Sequence, residues 1–120
     1  MGTARPIHIV IDADDVDALR DFWVAALGYE SFGEFEQYRS AQPPAGAVGP
    51  KFIFQKVPEG RGPGKNRLHI DIEVGDDMES ERARLIALGA SQSSAVIAEA
   101  GTTWIVMADP EGNEFCLVHH

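Results

Sequence analysis

Two histidines, an amide, a thiol and a set of carboxylates could do chemistry in this chain, and their spacing ties them together. His8 and His69 are separated by 61 residues, and so are Gln55 and Cys116. Around the histidines the same offset superimposes residues 8–28 on residues 69–89 without a gap. Ile9 falls on Ile70, Ile11 on Ile72, Asp15 on Asp76, and Ala26-Leu27-Gly28 on Ala87-Leu88-Gly89. It also sets Phe54 on Phe115 and Val57 on Val118. Asp71 and Glu73 follow His69 at alternate positions, Asp12 follows His8, and Glu114 precedes Cys116 by two. Such groups hold a ligand or a water by hydrogen bonds, or move a proton as general acid or base. A solvated sheet face is the simpler account of the acidic ones.

The elements that must position these residues are legible as patterns. Ile7, Ile9 and Ile11 alternate with His8, Val10 and Asp12, which predicts a strand with one packed face. Leu19, Phe22, Trp23, Ala26 and Leu27 form one helical stripe. Asp14 or Asp15 suits its N-cap, Gly28 its C-cap, and Trp23 its core. Strands are expected over 29–35, 38–41 and 51–57, with a Pro/Gly/Ala-rich loop over 42–50. The second copy predicts a strand over 68–74 and a helix capped by Asp76 or Asp77, running to Leu88 and ended by Gly89. Strands follow over 104–108 and 114–118, joined by the turn Asp109-Pro110-Glu111-Gly112-Asn113. Each copy reads β-α-β-β-β. The fold class is therefore α+β, one domain over 1–120, with module 1 about 6–57, a linker about 58–66 and module 2 about 67–118. If Phe54 and Phe115 face the helices, alternation turns Gln55 and Cys116 the other way, with His8 and His69, on one concave surface. Tyr38 and Trp104 are expected to line a pocket there, with core or a dimer contact the alternative for Trp104.

Composition excludes several classes. The net charge is −9, which argues against nucleic acid, whose phosphates require Lys and Arg. Five of the ten cations, Lys51, Lys56, Arg61, Lys65 and Arg67, cluster with only Glu59 against them. That stretch is either a solvated linker or a rim for an anionic ligand. No apolar run approaches the roughly 20 residues of a membrane span. The N-terminal residues lack the apolar core of a signal peptide. The single cysteine suits a reducing cytoplasm.

The chain resembles the vicinal oxygen chelate superfamily, which includes glyoxalase I, extradiol dioxygenases and bleomycin-resistance proteins. The resemblance is carried by Ile7-His8, Asp15, Asp21-Phe22-Trp23, Leu27-Gly28-Tyr29, Asn66-Arg67-Leu68-His69-Ile70-Asp71 and Asp109-Pro110-Glu111-Gly112-Asn113. It covers nearly the whole chain and is nearest the glyoxalase-like domain group. It implies tandem βαβββ modules, helices outside a curled mixed sheet, and usually a homodimer. In metal-dependent members four ligands come from the first and last strands of the two modules. The resemblance then implies His8 and His69 as metal ligands, with Gln55 and Cys116 at the other two positions. Cys116 stands where a Glu is usual, which departs from the pattern.

Two imidazoles and an amide bring no charge to a divalent ion (Zn, Ni, Mn or Fe). Only a Cys116 thiolate would, and it would favour Zn. Without a metal, these residues would hydrogen-bond a ligand or water. Two functions are open. One is a metal-assisted lyase, isomerase or dioxygenase-type enzyme, with Glu114 as the catalytic proton carrier. The other is a non-catalytic drug- or metabolite-binding protein of the bleomycin-resistance kind. In both, Gln55, Cys116, Trp104 and Asp71 are expected to contact a small-molecule ligand.

Overall fold

The computed structural model describes residues 6–60, 62, 64 and 66–120. The chain divides into two compact units, Met1–Gly60 and Arg61–His120. Arg61 and Lys65, two of the five clustered cations, lie outside the described residues.

The first unit consists of β1 (His8–Ala13), α1 (Val16–Leu27), β2 (Glu30–Phe35), β3 (Tyr38–Gln42) and β4 (Lys51–Lys56). Its sheet runs β1-β4-β3-β2. β1 and β4 are parallel, and the other pairs antiparallel. Asp15 begins α1 by accepting a hydrogen bond from the Ala18 N–H at 3.0 Å. Gly28 ends it at φ +70°, a left-handed conformation that glycine adopts without the steric cost of a Cβ. The expected stripe is the buried one: Leu19, Phe22, Trp23 and Ala26 sit in the core with Ala41, Phe52 and Phe54. Trp23 and Phe52 rings lie 5.8 Å apart.

The second unit consists of β5 (Ile70–Glu73), α2 (Met78–Ala87), β6 (Ser91–Gln92), β7 (Ile97–Glu99), β8 (Thr102–Ala108) and β9 (Glu114–His119). Its sheet runs β5-β9-β8-β6, and β7 also pairs with β8. β5 and β9 are parallel; β8 and β9 are antiparallel. Leu85 of α2 is buried with Ile105, Met107, Phe115 and Leu117. Asp77 occupies the N-cap of α2, but no side-chain capping bond forms there. The Asp109–Asn113 turn is built on a buried carboxylate: Asp109 Oδ1 accepts from the N–H groups of Glu111 and Asn113, both at 2.9 Å.

The α+β class and the order of the long elements agree with the sequence reading. Three details differ. Between α2 and β8 the second unit carries two short strands, β6 and β7, of two and three residues, one more than the β-α-β-β-β order and neither with a range expected from the sequence; runs that short have no readable alternation. Leu68 and Ile7 lie outside the packed faces, 88% and 65% exposed. The ladders explain this: the first pairs are Ile70 with Phe115 and His8 with Lys51, so the preceding residues have no partner strand.

The third difference concerns register. Ile70 stands opposite Phe115, but its repeat mate Ile9 stands opposite Phe52, not Phe54. The last strand of the first unit is shifted by two residues relative to the sequence offset. Lys51, Ile53 and Gln55 therefore correspond in space to Glu114, Cys116 and Val118. The expected equivalence of Gln55 and Cys116 is thereby corrected: Ile53 takes the place matching Cys116. A shift of two preserves which face each residue occupies, so alternation in the sequence is blind to it.

Candidate ligand and metal site

In the second unit, β9 is flanked by β5 on one side and β8 on the other. Phe115 and Leu117 of β9 are fully buried in the core. Alternation turns Cys116 and Val118 to the opposite face. There they floor a hollow of about 260 Å³. Asp71 enters from β5, because it is the register partner of Cys116. Trp104 enters from β8 as the partner of Val118, with Thr102 two residues before it. His69, just ahead of β5, completes the rim on one side and His120, just after β9, on the other.

Three of these groups converge. The His69 Nε2 and Asp71 Oδ1 atoms are 3.2 Å apart. One ligand atom from each of His69, Asp71 and Cys116 lies within 4.8 Å of the other two. His69 and Asp71 are half exposed, whereas Cys116 is buried at 8% exposure. Strand geometry produces this arrangement. Residues 69 and 71 share a face at spacing two, and residues 71 and 116 are in-register neighbours on strands about 4.8 Å apart.

The donor set can be tested against a divalent ion. Tetrahedral zinc with N, O and S ligands at ordinary bond lengths sets the donor atoms ~3.4–3.6 Å from one another. The His69–Asp71 separation is already close to that, and the thiol needs to close by at most about 1.4 Å. The carboxylate and a thiolate together supply two negative charges. The residues fit such an ion.

The other expected site residues fall as follows. Trp104 lines the hollow. Glu114 lies on the same strand, half-buried and opposite Ala108, and its N–H donates to Asn66 Oδ1 at 3.0 Å; it does not line the hollow. His8 and Gln55 belong to the first unit. His8 is exposed opposite Lys51, while half-buried Gln55 stands opposite Asp12 and Tyr38. Four residues of strand, ~13 Å, separate the His8 pair from the Gln55 pair. Trp23 is core, as expected.

Sequence reasoning missed Asp71 as a partner of the thiol, and Thr102, Val118 and His120 as lining. For Thr102 and Val118 a signal existed, since they lie two positions from Trp104 and Cys116 on the same strands. His120 had none: its ring is placed by Glu73 Oε1 at 3.4 Å and by Thr102 Oγ1 at 3.3 Å.

A family model described as a glyoxalase-like domain matches residues 8–118. Among solved structures, similar ones include a glyoxalase/bleomycin resistance protein/dioxygenase family enzyme from Burkholderia phytofirmans. It has a TM-score of 0.77 and 16% identity, over 93% of this chain and 95% of that one. A glyoxalase-related enzyme from Fulvimarina pelagi has a TM-score of 0.75 and 16% identity, over 98% and 89%. The fosfomycin resistance protein FosX from Listeria monocytogenes, solved with Mn(II) and a dihydroxypropylphosphonic acid, has a TM-score of 0.77 and 13% identity, over 97% and 90%. At these identities the likeness is one of fold. The sequence has no significant match among curated proteins.

Proposed function

We propose, since the chain belongs to the glyoxalase-like domain family, that it is an enzyme of the lyase or isomerase kind acting on a small, oxygen-rich molecule seated in the hollow of the second unit. The observation that carries this reading is the convergence of His69, Asp71 and Cys116 in a recess walled by Trp104 and Val118. Small-molecule sites combine apolar walls with a few convergent polar groups in this way. Trp104 and Val118 would strip water from the substrate, and Thr102 and His69 would orient its oxygens. A divalent ion held by His69, Asp71 and Cys116 would supply Lewis acidity at such an oxygen. Glu114, outside the lining of the hollow but about 6.6 Å along β9 from Cys116 on the same face, would carry a proton. The reading includes a homodimer in the cytoplasm. Phe32, Phe35 and Val96 leave apolar surface to be covered, and the single cysteine forms no disulfide.

The test is a turnover screen of hydroxyacyl thioesters, thiol adducts, epoxides and diols, with wild type beside His69→Ala and Glu114→Gln. Turnover that falls in both variants supports the reading. Turnover unchanged in both, or none with any substrate class, overturns it.

A second reading has one observation in its favour. Asp71 and Glu73 give the hollow and its rim an acidic character in a chain of net charge −9, which suits a cationic ligand. The protein would then bind without chemistry. A cationic glycopeptide drug that raises the melting temperature, with no turnover, is the outcome that selects it.

A further inference from the structure

We propose that Asn66 is a positioning residue of the hollow: its side chain ties the segment that carries His69 to the backbone of Glu114, and so sets the imidazole over the site. The consequence for catalysis rests on the hollow being the functional site; the placement itself does not.

The first argument is how little else holds that segment. The β5–β9 ladder begins at the Ile70–Phe115 pair. Arg67, Leu68 and His69 precede it and are exposed, Leu68 at 88%. A leucine so exposed gives no anchor through burial. The sequence upstream holds Gly60, Gly62 and Gly64, and glycine adds backbone freedom rather than restraint. The ladder by itself would fix His69 from one side only, through Ile70.

The second argument is the bond that fixes the other side. Asn66 Oδ1 accepts from the Glu114 N–H at 3.0 Å. Glu114 immediately precedes Phe115, so this bond carries the contact with β9 one step past the end of the backbone ladder. A side-chain oxygen stands in there for a strand carbonyl. The contact of Asn66 Nδ2 with Asn113 Oδ1, at 3.5 Å, is at the limit of hydrogen bonding and is secondary. The anchor therefore depends on the backbone of β9 rather than on the turn before it. Three residues of chain reach at most ~10 Å. Pinning residue 66 to Glu114 and residue 70 to Phe115 confines His69 between two adjacent points of β9. From there its Nε2 meets Asp71 Oδ1 at 3.2 Å, and a ring nitrogen joins the cluster with Cys116.

The third argument is that the bond touches both groups given a part in the chemistry. Glu114 is held at its own N–H and His69 through its approach segment, so one carboxamide sets the two relative to each other. The device belongs to the second repeat. At the matching position 61 residues earlier the chain has Arg5, whose guanidinium has only donors and cannot accept from an N–H.

The test is nuclear magnetic resonance on the purified full-length protein without ligand, for wild type, Asn66→Ala and Asn66→Asp. The aspartate keeps an accepting oxygen and loses the Nδ2 donor. We expect amide hydrogen exchange at Glu114 to quicken at least about tenfold in Asn66→Ala and to stay near wild type in Asn66→Asp. Nuclear Overhauser contacts between the His69 ring and the Cys116 side chain should be present in wild type and Asn66→Asp and lost in Asn66→Ala. The contact between Ile70 and Phe115 should persist in all three. A residue that merely supports the fold would weaken both contacts together, or neither. His69 contacts unchanged in Asn66→Ala, lost along with the Ile70–Phe115 contact, or not restored in Asn66→Asp overturn the proposal. The activity is judged separately: with the expected contacts observed and no turnover of any substrate class, the enzyme reading fails and this one stands.

Discussion

Asp71 stands directly opposite Cys116 in the parallel ladder of β5 and β9, while the matching positions of the first unit, Val10 and Ile53, form an opposed apolar pair. The duplicated unit has thus diverged on the face turned away from its helix. That face is free to do so, because the core is served by the other one: Phe52 and Phe54 in the first unit, Phe115 and Leu117 in the second. Selection for packing acts on alternate residues only, which leaves the rest available for chemistry.

Occupation of the hollow should be visible in fluorescence. The chain has two tryptophans; Trp104 lines the hollow and Trp23 is buried at 1% exposure. Ligand titration should change the emission of wild type, and Trp104→Phe should abolish that response. A response that survives the substitution would place the ligand elsewhere.

The two cores should be comparably sensitive to truncation. Phe54 and Phe115 are both at 0% exposure. Replacing either by Ala should cost about 3–5 kcal/mol in urea unfolding, from lost transfer energy plus the cavity left behind. A loss below about 1 kcal/mol at either position would contradict the packing described.

Asp109 should be a structural carboxylate. It is 3% exposed, and its Oδ2 accepts from Asn113 Nδ2 at 2.9 Å in addition to the two backbone bonds on Oδ1. Asp109→Ala orphans those donors in the β8–β9 turn and should cost about 2–4 kcal/mol. The site reading predicts no direct part for it in ligand contact, so affinity of the folded fraction should hold.

Gly49 and Tyr29 should couple. The Tyr29 hydroxyl donates to the Pro50 carbonyl at 2.9 Å, and a Cβ at position 49 would lie 2.6 Å from that hydroxyl. Gly49→Ala should therefore destabilise the first unit, and the Gly49→Ala/Tyr29→Phe pair should recover part of the loss. A double-mutant cycle reads this directly. Strict additivity would show that the two do not meet.

Acid sensitivity has a local source on α2. The hydrogen bond and charge of Arg84 hold the Glu81 carboxyl below the usual carboxylate range, against a smaller opposing effect of burial. The folded-state pKa is thus below the unfolded one. This contribution is present above the unfolded value, about 4.3, and is lost as pH falls through the depressed folded value. In a carbon-detected NMR titration, Arg84→Ala should raise the Glu81 midpoint; an unmoved midpoint would discount the pair.

Much of the fold was legible because periodicity reports burial. The stripe from Leu19 to Ala26 and the alternation about Ile9 and Ile70 each answer to one packed face. Asp15 and Gly28 mark helix ends by local chemistry that needs no tertiary contact. β6 and β7 were not legible, since their few residues owe their conformation to the edge of β8 rather than to any pattern of their own.

By itself the sequence determined the duplicated α+β plan, the cores, and which face carries His69, Asp71 and Cys116, because side-chain direction follows from strand alternation. Only the tertiary structure decided which residues on that face are neighbours. Ladder register is a relation between strands distant in the chain, and a two-residue slip changes partners without changing faces. Register sets Cys116 beside Asp71 in the second unit, and the slip in the first left Ile53, not Gln55, beside Val10.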